Sequence, residues 1–214
     1  MTKIKEGILG PVSGKIGPVV GGTWKGIPYL RLAPKKDGKK RKRTVGQIAN
    51  QEKFNYVNQL LVPFHPYITI GFKHEAEHKT EISAAFSVNF NRAIIGVFPN
   101  LSVDYSKLVL SVGKLPGLTD VVMERIDPGV LKLSWTKDDC KYAIFNDQII
   151  LVAYCPELKK VDGFVGGVKR TEKECILKLE PKLRGKILEV YVIVSSVDQK
   201  KIANSQYLGS INMM

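Results

Sequence analysis

A tight turn runs directly into a strand rich in β-forming residues in the stretch Asp127-Pro128-Gly129-Val130-Leu131-Lys132-Leu133-Ser134-Trp135-Thr136. From Ser102 onward the same pattern recurs, with short apolar runs separated by turn residues, of which Val161-Asp162-Gly163 is predicted to be another turn. This pattern favours an antiparallel β-sandwich, although periodicity alone leaves a barrel open. The predicted strands are Lys107–Gly113, Val121–Ile126, Val130–Thr136, Ile149–Cys155, Phe164–Lys169, Cys175–Leu179, Ile187–Ser195 and Gln206–Ile211.

Residues 44–101 change to a helical pattern. Thr44 is a predicted N-cap, and apolar residues recur at three- and four-residue steps until Pro63, which predicts a helix from Val45 to Val62. A second amphipathic helix is predicted after Thr80. We expect the two helices to pack against each other as a hairpin.

Residues 1–43 are rich in glycine and proline. Glycine raises the entropic cost of ordering and proline removes a backbone donor, so we expect an extended arm with at most one strand or hairpin around Gly21-Gly22. Trp24 and Tyr29 are predicted to anchor this arm on the body or on a neighbouring subunit, with stacking on nucleic-acid bases as the alternative. The predicted fold class is therefore α+β, with an extended basic Gly-rich arm (1–43), a two-helix segment (44–101) and a C-terminal antiparallel β-sandwich (102–214).

The positive charge of the protein is concentrated at its N-terminal end. The chain of 214 residues has a formal net charge of +13, and residues 1–50 carry 12 Lys/Arg against Glu6 and Asp37. This asymmetry indicates docking on a polyanion or into an assembly. A cationic cluster can neutralise phosphates and release counterions without reading sequence, whereas a solvated tail is the plainer interpretation. The candidate polyanion-binding residues are Arg31, Lys35, Lys36, Lys39, Lys40, Arg41, Lys42 and Arg43.

Composition argues against several classes of protein. No apolar run approaches the ~18–20 residues that a membrane helix needs, and no signal-peptide pattern is seen at the N-terminus. We therefore expect no membrane span and a cytoplasmic location, or a virion-associated one if the protein is phage-derived. Cys140, Cys155 and Cys175 lack C-x-x-C spacing, which predicts reduced and mostly buried thiols.

Two motif-like stretches are predicted to be structural. His74-Glu75-Ala76-Glu77-His78 satisfies H-E-x-x-H, but its charged surroundings indicate a polar loop between helices rather than a zinc site. Gly10-Pro11-Val12-Ser13-Gly14-Lys15-Ile16 is one residue short of a phosphate loop and has Ile16 where a magnesium-binding hydroxyl is needed. We therefore predict no metal, no cofactor and no catalytic residues.

Two resemblances extend this interpretation. The run Gly129–Trp135, together with the loop Glu180–Gly185 before Leu188–Val194, resembles the second strand and the loop into the sixth strand of fibronectin type III domains. This resemblance covers roughly residues 104–212 and implies an immunoglobulin-like sandwich with Trp135 in its core.

The N-terminal pattern also resembles a known family. Lys5-x-Gly7-Ile8-Leu9-Gly10, then Gly14-Lys15-Ile16-Gly17, then Gly21-Gly22-Thr23-Trp24-Lys25-Gly26 and Tyr29-x-Arg31, followed by Thr44-x-x-Gln47, resembles a family of uncharacterised Bacteroidetes proteins along the whole chain. That family implies an architecture but no catalytic residues. The Gly-rich N-terminal stretch is also similar, more loosely, to that of phage-encoded structural proteins. The basic cluster before the helix carries more charge than this looser resemblance implies.

These observations predict a non-enzymatic structural or assembly protein, possibly of phage or virion type, whose arm docks on neighbouring subunits. The predicted partner is a homo-oligomer or a larger protein assembly. The alternative is a protein that binds nucleic acid non-specifically through Lys35–Arg43.

Overall fold

The computed structural model describes residues 3–4, 10–34, 42–136 and 146–213. The contacts divide the chain into two units, Met1–Thr44 and Val45–Met214. The helices are α1 (Val45–Leu61), α2 (His65–Gly71) and α3 (Glu81–Arg92). The strands are β1 (Lys3–Ile4), β2 (Val12–Ile16), β3 (Val19–Trp24), β4 (Ile27–Leu32), β5 (Ile94–Val97), β6 (Asn100–Val103), β7 (Thr119–Asp127), β8 (Val130–Thr136), β9 (Gln148–Cys155), β10 (Lys160–Lys169), β11 (Glu174–Lys178), β12 (Ile187–Ser195) and β13 (Gln206–Asn212).

The first unit contains one antiparallel sheet with the strand order β1-β2-β3-β4. The sequence predicted an extended arm with at most one strand or hairpin around Gly21-Gly22; a strand is present there, but the hairpin alternative and the extended arm are wrong, because four strands form a sheet. Two-residue turns stand instead at Gly17-Pro18 and Lys25-Gly26, and Gly21-Gly22 lies inside β3. A glycine-rich segment can thus form a sheet because its glycines supply the turn conformations and the close backbone approaches that the hairpins need.

The second unit mixes helices with antiparallel sheets, which confirms the α+β prediction. Four strands have the order β10-β9-β12-β13, three have the order β11-β8-β7, and β5 pairs with β6. Strands β9 and β12 lie at the centre of the four-stranded sheet, and nearly all their residues are buried. Both of their faces are therefore covered, which explains why they read as continuous apolar runs rather than as alternating ones.

Two apolar clusters cover those faces. One cluster packs α1, α2 and α3 against Ile150 of β9 and Ile193 of β12. The other packs Leu133 of β8 against Leu151 of β9 and Val192 of β12, so it joins the three-stranded and four-stranded sheets. The four-stranded sheet is thus the layer on which the rest of the second unit packs.

The predicted helices are present and extend further than the sequence indicated. The helix predicted over Val45–Val62 appears as α1, and the chain then continues through a 3₁₀ turn into α2. Pro63 and Pro66 stand at the starts of these two later helical segments, where the missing N–H costs no intrahelical bond. Thr80 caps α3 by accepting a hydrogen bond from the Ser83 N–H at 3.1 Å.

The predicted helix hairpin is also observed. Helices α1 and α3 pack through Phe54 and Phe86, whose ring centroids lie 4.6 Å apart. The Lys53 ammonium lies 4.3 Å from the centroid of the Phe90 ring.

One predicted strand, Lys107–Gly113, is not a strand. A 3₁₀ turn occupies Tyr105–Lys107, and the chain beyond it has no regular structure until β7, apart from an isolated bridge at Leu115. Side chains, rather than a neighbouring strand, provide hydrogen-bond partners for the backbone of this segment. The Asn89 side chain accepts from the N–H of Val109 and donates to its C=O, both at 2.8 Å. The apolar pattern there reflects burial against the helices rather than strand pairing.

Turn prediction was right at one position and wrong at another. Asp127-Pro128-Gly129 links β7 and β8 as predicted. Val161-Asp162-Gly163 lies inside β10, paired with β9. A Cβ at Gly163 would stand 2.0 Å from the Leu151 carbonyl oxygen, so this glycine serves close strand approach and not a turn.

Candidate interaction surface

The first unit folds into hairpins because its turn residues suit two-residue loops. Gly17 has φ +56° and precedes Pro18, whose ring fixes a negative φ, so this loop has the pattern of a type II′ turn. Lys25 and Gly26 have φ of +44° and +82°, as a type I′ turn requires. Both turns have the twist that keeps neighbouring strands paired.

Two glycines inside β3 let other groups lie on the sheet. A Cβ at Gly21 would stand 2.1 Å from the Val12 carbonyl oxygen, so the start of β2 crosses closely over β3. A Cβ at Gly22 would stand 3.0 Å from Cζ of Tyr29, so the Tyr29 ring lies over the Gly22 backbone. This contact keeps the ring against the sheet while its outer side stays open.

The strand register defines two faces of this sheet. Trp24 pairs with Ile27 and Gly22 with Tyr29, and paired residues lie on the same face while successive residues alternate. We name the face with Trp24, Ile27 and Tyr29 the aromatic face, which also includes Lys15, Val20 and Arg31. The opposite side, the aliphatic face, consists of Ile16, Val19, Leu30 and Leu32.

Both faces are open. Trp24 and Tyr29 are 54% and 46% exposed, and Leu30 and Leu32 are 64% and 75% exposed. Every residue of β4 is exposed. A strand whose two faces are both apolar and both exposed is unusual, because antiparallel sheets normally expose one polar face only.

The structure places the predicted polyanion-binding residues in two groups. Arg31 lies exposed in β4, on the aromatic face, and Lys42 and Arg43 lie exposed just before α1. The other five predicted residues lie outside the described part of the chain, namely Lys35, Lys36, Lys39, Lys40 and Arg41. Trp24 and Tyr29, the predicted anchors, lie on one face, and their role on a neighbour stays a prediction.

The sequence analysis missed Leu30 and Leu32 as interaction residues. It named only Trp24 and Tyr29 as anchors of the arm. A signal was present, because Tyr29-Leu30-Arg31-Leu32 places apolar side chains on both faces of one strand. Such a strand must be covered on both sides or remain exposed.

The two motif-like stretches lie in a loop and in a strand, respectively. His74 to His78 form part of the loop between α2 and α3, so the two histidines do not lie on one face of a helix. Among the residues that the structure describes, no group of three His, Cys, Asp or Glu side chains is placed to hold a metal ion. Val12–Ile16 forms strand β2 rather than a loop before a helix.

The second unit has a cavity of about 380 Å³ beside this loop. Val112, Leu115 and Pro116 give it an apolar wall, and His74 and Glu75 line it from the loop, with three lysines alongside: Lys114, Lys200 and Lys201. Among its described lining residues there is no Ser, Thr or Cys to act as a nucleophile. Its chemistry suits weak binding of an anion more than covalent catalysis.

Buried and partly buried tyrosines pack in the cluster between the helices and the four-stranded sheet. The Tyr191 hydroxyl donates to the Tyr105 carbonyl oxygen at 2.8 Å, and the Tyr207 hydroxyl donates to Glu189 Oε2 at 2.6 Å. Burial, followed by this bond to Glu189, raises the pKa of Tyr207 to about 12. Burial also raises the pKa of Tyr154 to about 12. These phenols stay neutral near pH 7 and act as packing groups.

A buried ion pair supports the three-stranded sheet. Arg170 and Asp147 are almost fully buried, with Nη1 and Oδ2 3.9 Å apart. The Arg170 carbonyl accepts a hydrogen bond from Trp135 Nε1 at 2.8 Å, and its guanidinium donates to the carbonyls of Pro116 and Gly117. The burial of Asp147 and its pairing with Arg170 make it a structural residue.

The geometry defines a mixed α+β protein with a small exposed β-sheet and a larger helix-and-sheet unit. The chain belongs to the family described as "Family of unknown function (DUF6266)", which matches residues 11–209. This match includes β2, β3 and β4 as well as the body, and it confirms the predicted resemblance to a family without an assigned activity. A comparison with curated proteins gives no match. None of the described helices is long and apolar enough to cross a membrane.

Proposed function

We propose that this protein is a non-enzymatic structural component of an assembly, of phage or virion type, whose N-terminal sheet docks on a neighbouring subunit. One observation carries the proposal: the sheet exposes large apolar side chains on both faces. Isolated exposed apolar residues are ordinary, but a contiguous group of them marks an interaction surface. Covering Leu30 and Leu32 on a partner would contribute about 1–2 kcal/mol each, given their large exposed fractions.

We also propose that β7–β13 form a sandwich of fibronectin type III type. Its support is the strand order, since the first, second and fifth of these seven strands share one sheet and the other four share the second. Trp135 lies in the second of the seven strands and is buried. The loop Glu180–Gly185 leads into the sixth, β12. Such domains serve as rigid spacers in many assemblies, which suits a body that presents a docking sheet.

The test measures the mass of the full chain by size-exclusion chromatography with light scattering over a range of concentrations. We expect defined oligomers, and we expect the triple variant Ile16→Ser, Trp24→Ser, Ile27→Ser to abolish them. A matched control removes three apolar residues of similar or greater exposure from the body: Ile95→Ser, Val97→Ser and Val122→Ser. This control should assemble like the unmodified chain.

Two results would contradict the proposal. One is equal loss of assembly in the control variant, which would assign the contact to general surface hydrophobicity. The other is a monomeric full chain in which residues 10–34 resist limited proteolysis, because a docking sheet without its partner should be cleavable.

The second candidate function is sequence-independent binding of nucleic acid, which would use Lys35–Arg43. The specific observation in its favour is the aromatic face, where the half-exposed rings of Trp24 and Tyr29 accompany Lys15 and Arg31. Stacking on exposed rings beside cations is how single strands are bound without sequence preference.

Fluorescence can test this candidate, because Trp24 is 54% exposed whereas Trp135 is 4% exposed. Quenching by single-stranded oligonucleotides should therefore disappear in Trp24→Phe, and the affinity should fall steeply with salt. Two results would exclude nucleic-acid binding: no retention on heparin or DNA columns, or retention that does not depend on salt.

A further inference from the structure

Within the part of the chain that the structure describes, strand β4 pairs with β3 only and ends the strand order of its sheet, so its other hydrogen-bonding edge is open there. The Ala33 N–H bonds the Pro18 carbonyl at 2.7 Å. Hydrogen-bonded and open pairs alternate along an antiparallel ladder, so Tyr29 and Arg31 also bond inward to β3. The N–H and C=O groups of Leu30 and Leu32, and the C=O of Pro28, therefore point outward.

The edges of the larger sheets are protected in the usual ways. Strand β10 is irregular between Val165 and Lys169, with positive φ at Gly166 and Gly167. Strand β7 also has register shifts. Strand β11 exposes Glu174 and Lys178, and β13 has a register shift and positive φ at Gly209. Bulges and charges of this kind prevent edge-to-edge pairing. Strand β4 also contains a proline and one charged residue, Pro28 and Arg31, but its pairing with β3 has no register shift, and the residues whose N–H groups point outward, Leu30 and Leu32, are apolar.

We propose that the edge of β4 pairs with β4 of a second copy of this chain, antiparallel and with Leu30 opposite Leu30. This inference rests on the proposed assembly function and names the partner of that site. In this register Leu30 exchanges both of its backbone bonds with Leu30 of the second copy, and Leu32 donates to the Pro28 carbonyl of that copy. The two four-stranded sheets become one continuous sheet with a two-fold axis, the symmetry of most homo-oligomers.

The side chains select this register over its neighbours. It sets Arg31, the only charged residue of β4, opposite Tyr29 of the second copy. A shift that pairs Leu30 with Leu32 would set Arg31 against Arg31, and like charges directly opposite are unfavourable. A shift that pairs Leu30 with Pro28 sets both Leu30 residues opposite a proline, which has no N–H, so each central pair keeps one bond instead of two. The chosen register keeps both bonds between the Leu30 residues and avoids the repulsion between arginines.

Net charge gives the pairing a distinct salt dependence. Each copy carries a formal net charge of +13, so two copies repel each other at low ionic strength. Added salt should therefore strengthen self-pairing. Assembly held together by bound nucleic acid has the opposite dependence, because salt weakens phosphate contacts.

The first experiment compares dimer dissociation constants by sedimentation velocity for the full chain, Leu30→Pro and Leu30→Ala. Proline removes the outward N–H while the inward bonds of Tyr29 and Arg31 remain, and an edge strand that already contains Pro28 accommodates it. We expect Leu30→Pro to weaken the dimer at least about tenfold, and Leu30→Ala, which keeps the N–H, to weaken it less. Circular dichroism checks that the variants fold.

The second experiment reads the register directly and does not depend on proline. Two variants are prepared, Tyr29→Cys and Arg31→Cys, each with the further change Cys140→Ser. They are oxidised separately and as an equal mixture. Cys155 and Cys175 are left unchanged because they are buried. Residues opposite each other in an open pair lie within disulfide range. We expect a disulfide-linked dimer of the two variants to form in the mixture, and little disulfide-linked dimer to form when either variant is oxidised alone.

Each result decides the inference. Cross-linking of Tyr29→Cys alone, or of Arg31→Cys alone, would overturn the register. A Leu30→Pro chain that assembles like the unmodified protein would overturn edge pairing while the docking proposal stands. The docking proposal fails separately, if the variant at Ile16, Trp24 and Ile27 assembles normally. A full chain that stays monomeric at low and high salt would overturn self-pairing outright.

Discussion

Replacing Asn89 should loosen the irregular segment that follows β6. Asn89 lies on α3, fully buried, and its side chain bonds the Val109 N–H and C=O at 2.8 Å and the Ala85 carbonyl at 2.9 Å. Asn89→Ala leaves both backbone groups of Val109 without these partners. A buried polar group that loses its partner costs about 1–3 kcal/mol, so we expect a loss of about 2–4 kcal/mol in unfolding free energy.

Urea unfolding followed by circular dichroism measures this loss, and hydrogen exchange at the Val109 amide localises it. In a chain of this size the melting temperature should fall by about 5–15 °C. Asn91→Ala is the matched control on the same helix, because Asn91 is exposed and its amide makes only a 3.5 Å contact with the Ser87 carbonyl. We expect that control to stay within about 0.5 kcal/mol of the unmodified chain.

A third variant separates hydrogen bonding from packing. Asn89→Leu keeps the branched shape and the number of side-chain heavy atoms but cannot bond Val109, so it should be destabilised at least as much as Asn89→Ala. Full stability in Asn89→Leu, or normal protection of the Val109 amide in either variant, would refute the argument that this side chain replaces a strand ladder.

Three further predictions concern the body. Burial raises the pKa of Tyr154 to about 12 from an unfolded value near 10. The neutral phenol therefore contributes up to about 2.7 kcal/mol to the free energy of unfolding, and this contribution is present below pH 10 and lost as the pH rises through 12. Tyr154→Phe should flatten the decline of the unfolding free energy that urea titrations measure at high pH. Burial raises the pKa of Cys175 to about 11, so iodoacetamide at pH 8 should label it only in denaturant, as peptide mass spectrometry would report. Asp147→Ala should lower the free energy of unfolding in urea by about 3–5 kcal/mol, because it leaves the buried Arg170 charge without its carboxylate, whereas Asp198→Ala, at an exposed pair, should lower it far less.

The sequence predicted those elements whose local pattern agrees with their environment. Helix α3 has a capping threonine and one apolar face, and β8 alternates buried and partly buried residues. Such elements are specified locally, and periodicity finds them. The irregular segment 107–113 has the same apolar content but is held by Asn89, more than fifteen residues earlier, and by Ser205, whose Oγ accepts from the Leu110 N–H at 3.0 Å. Contacts so distant in sequence leave no periodic signal.

The N-terminal sheet could not be predicted from composition for a different reason. The abundance of glycine and proline predicts an extended arm, but the effect of these residues depends on their positions. Gly17 and Gly26 lie in turns that need positive φ, while Gly21 and Gly22 lie where Val12 and Tyr29 approach the strand. The same residues that weaken a helix therefore specify tight hairpins here. The two faces became visible only once the register was known.

The small size of the first unit supports the proposed assembly function. Its 44 residues are close to the size, about 40 residues, at which a domain usually depends on disulfides, metals or oligomerisation. All three cysteines lie beyond residue 44, as do all three histidines, so a disulfide or a His/Cys metal site within this unit is impossible. The proposed oligomerisation would use what the unit exposes, namely the edge of β4 and apolar side chains on both faces. The body instead covers both faces of its central strands and interrupts its edges with register shifts and charges. Under the proposed function, the chain joins a body with its own core to a sheet that another subunit would complete.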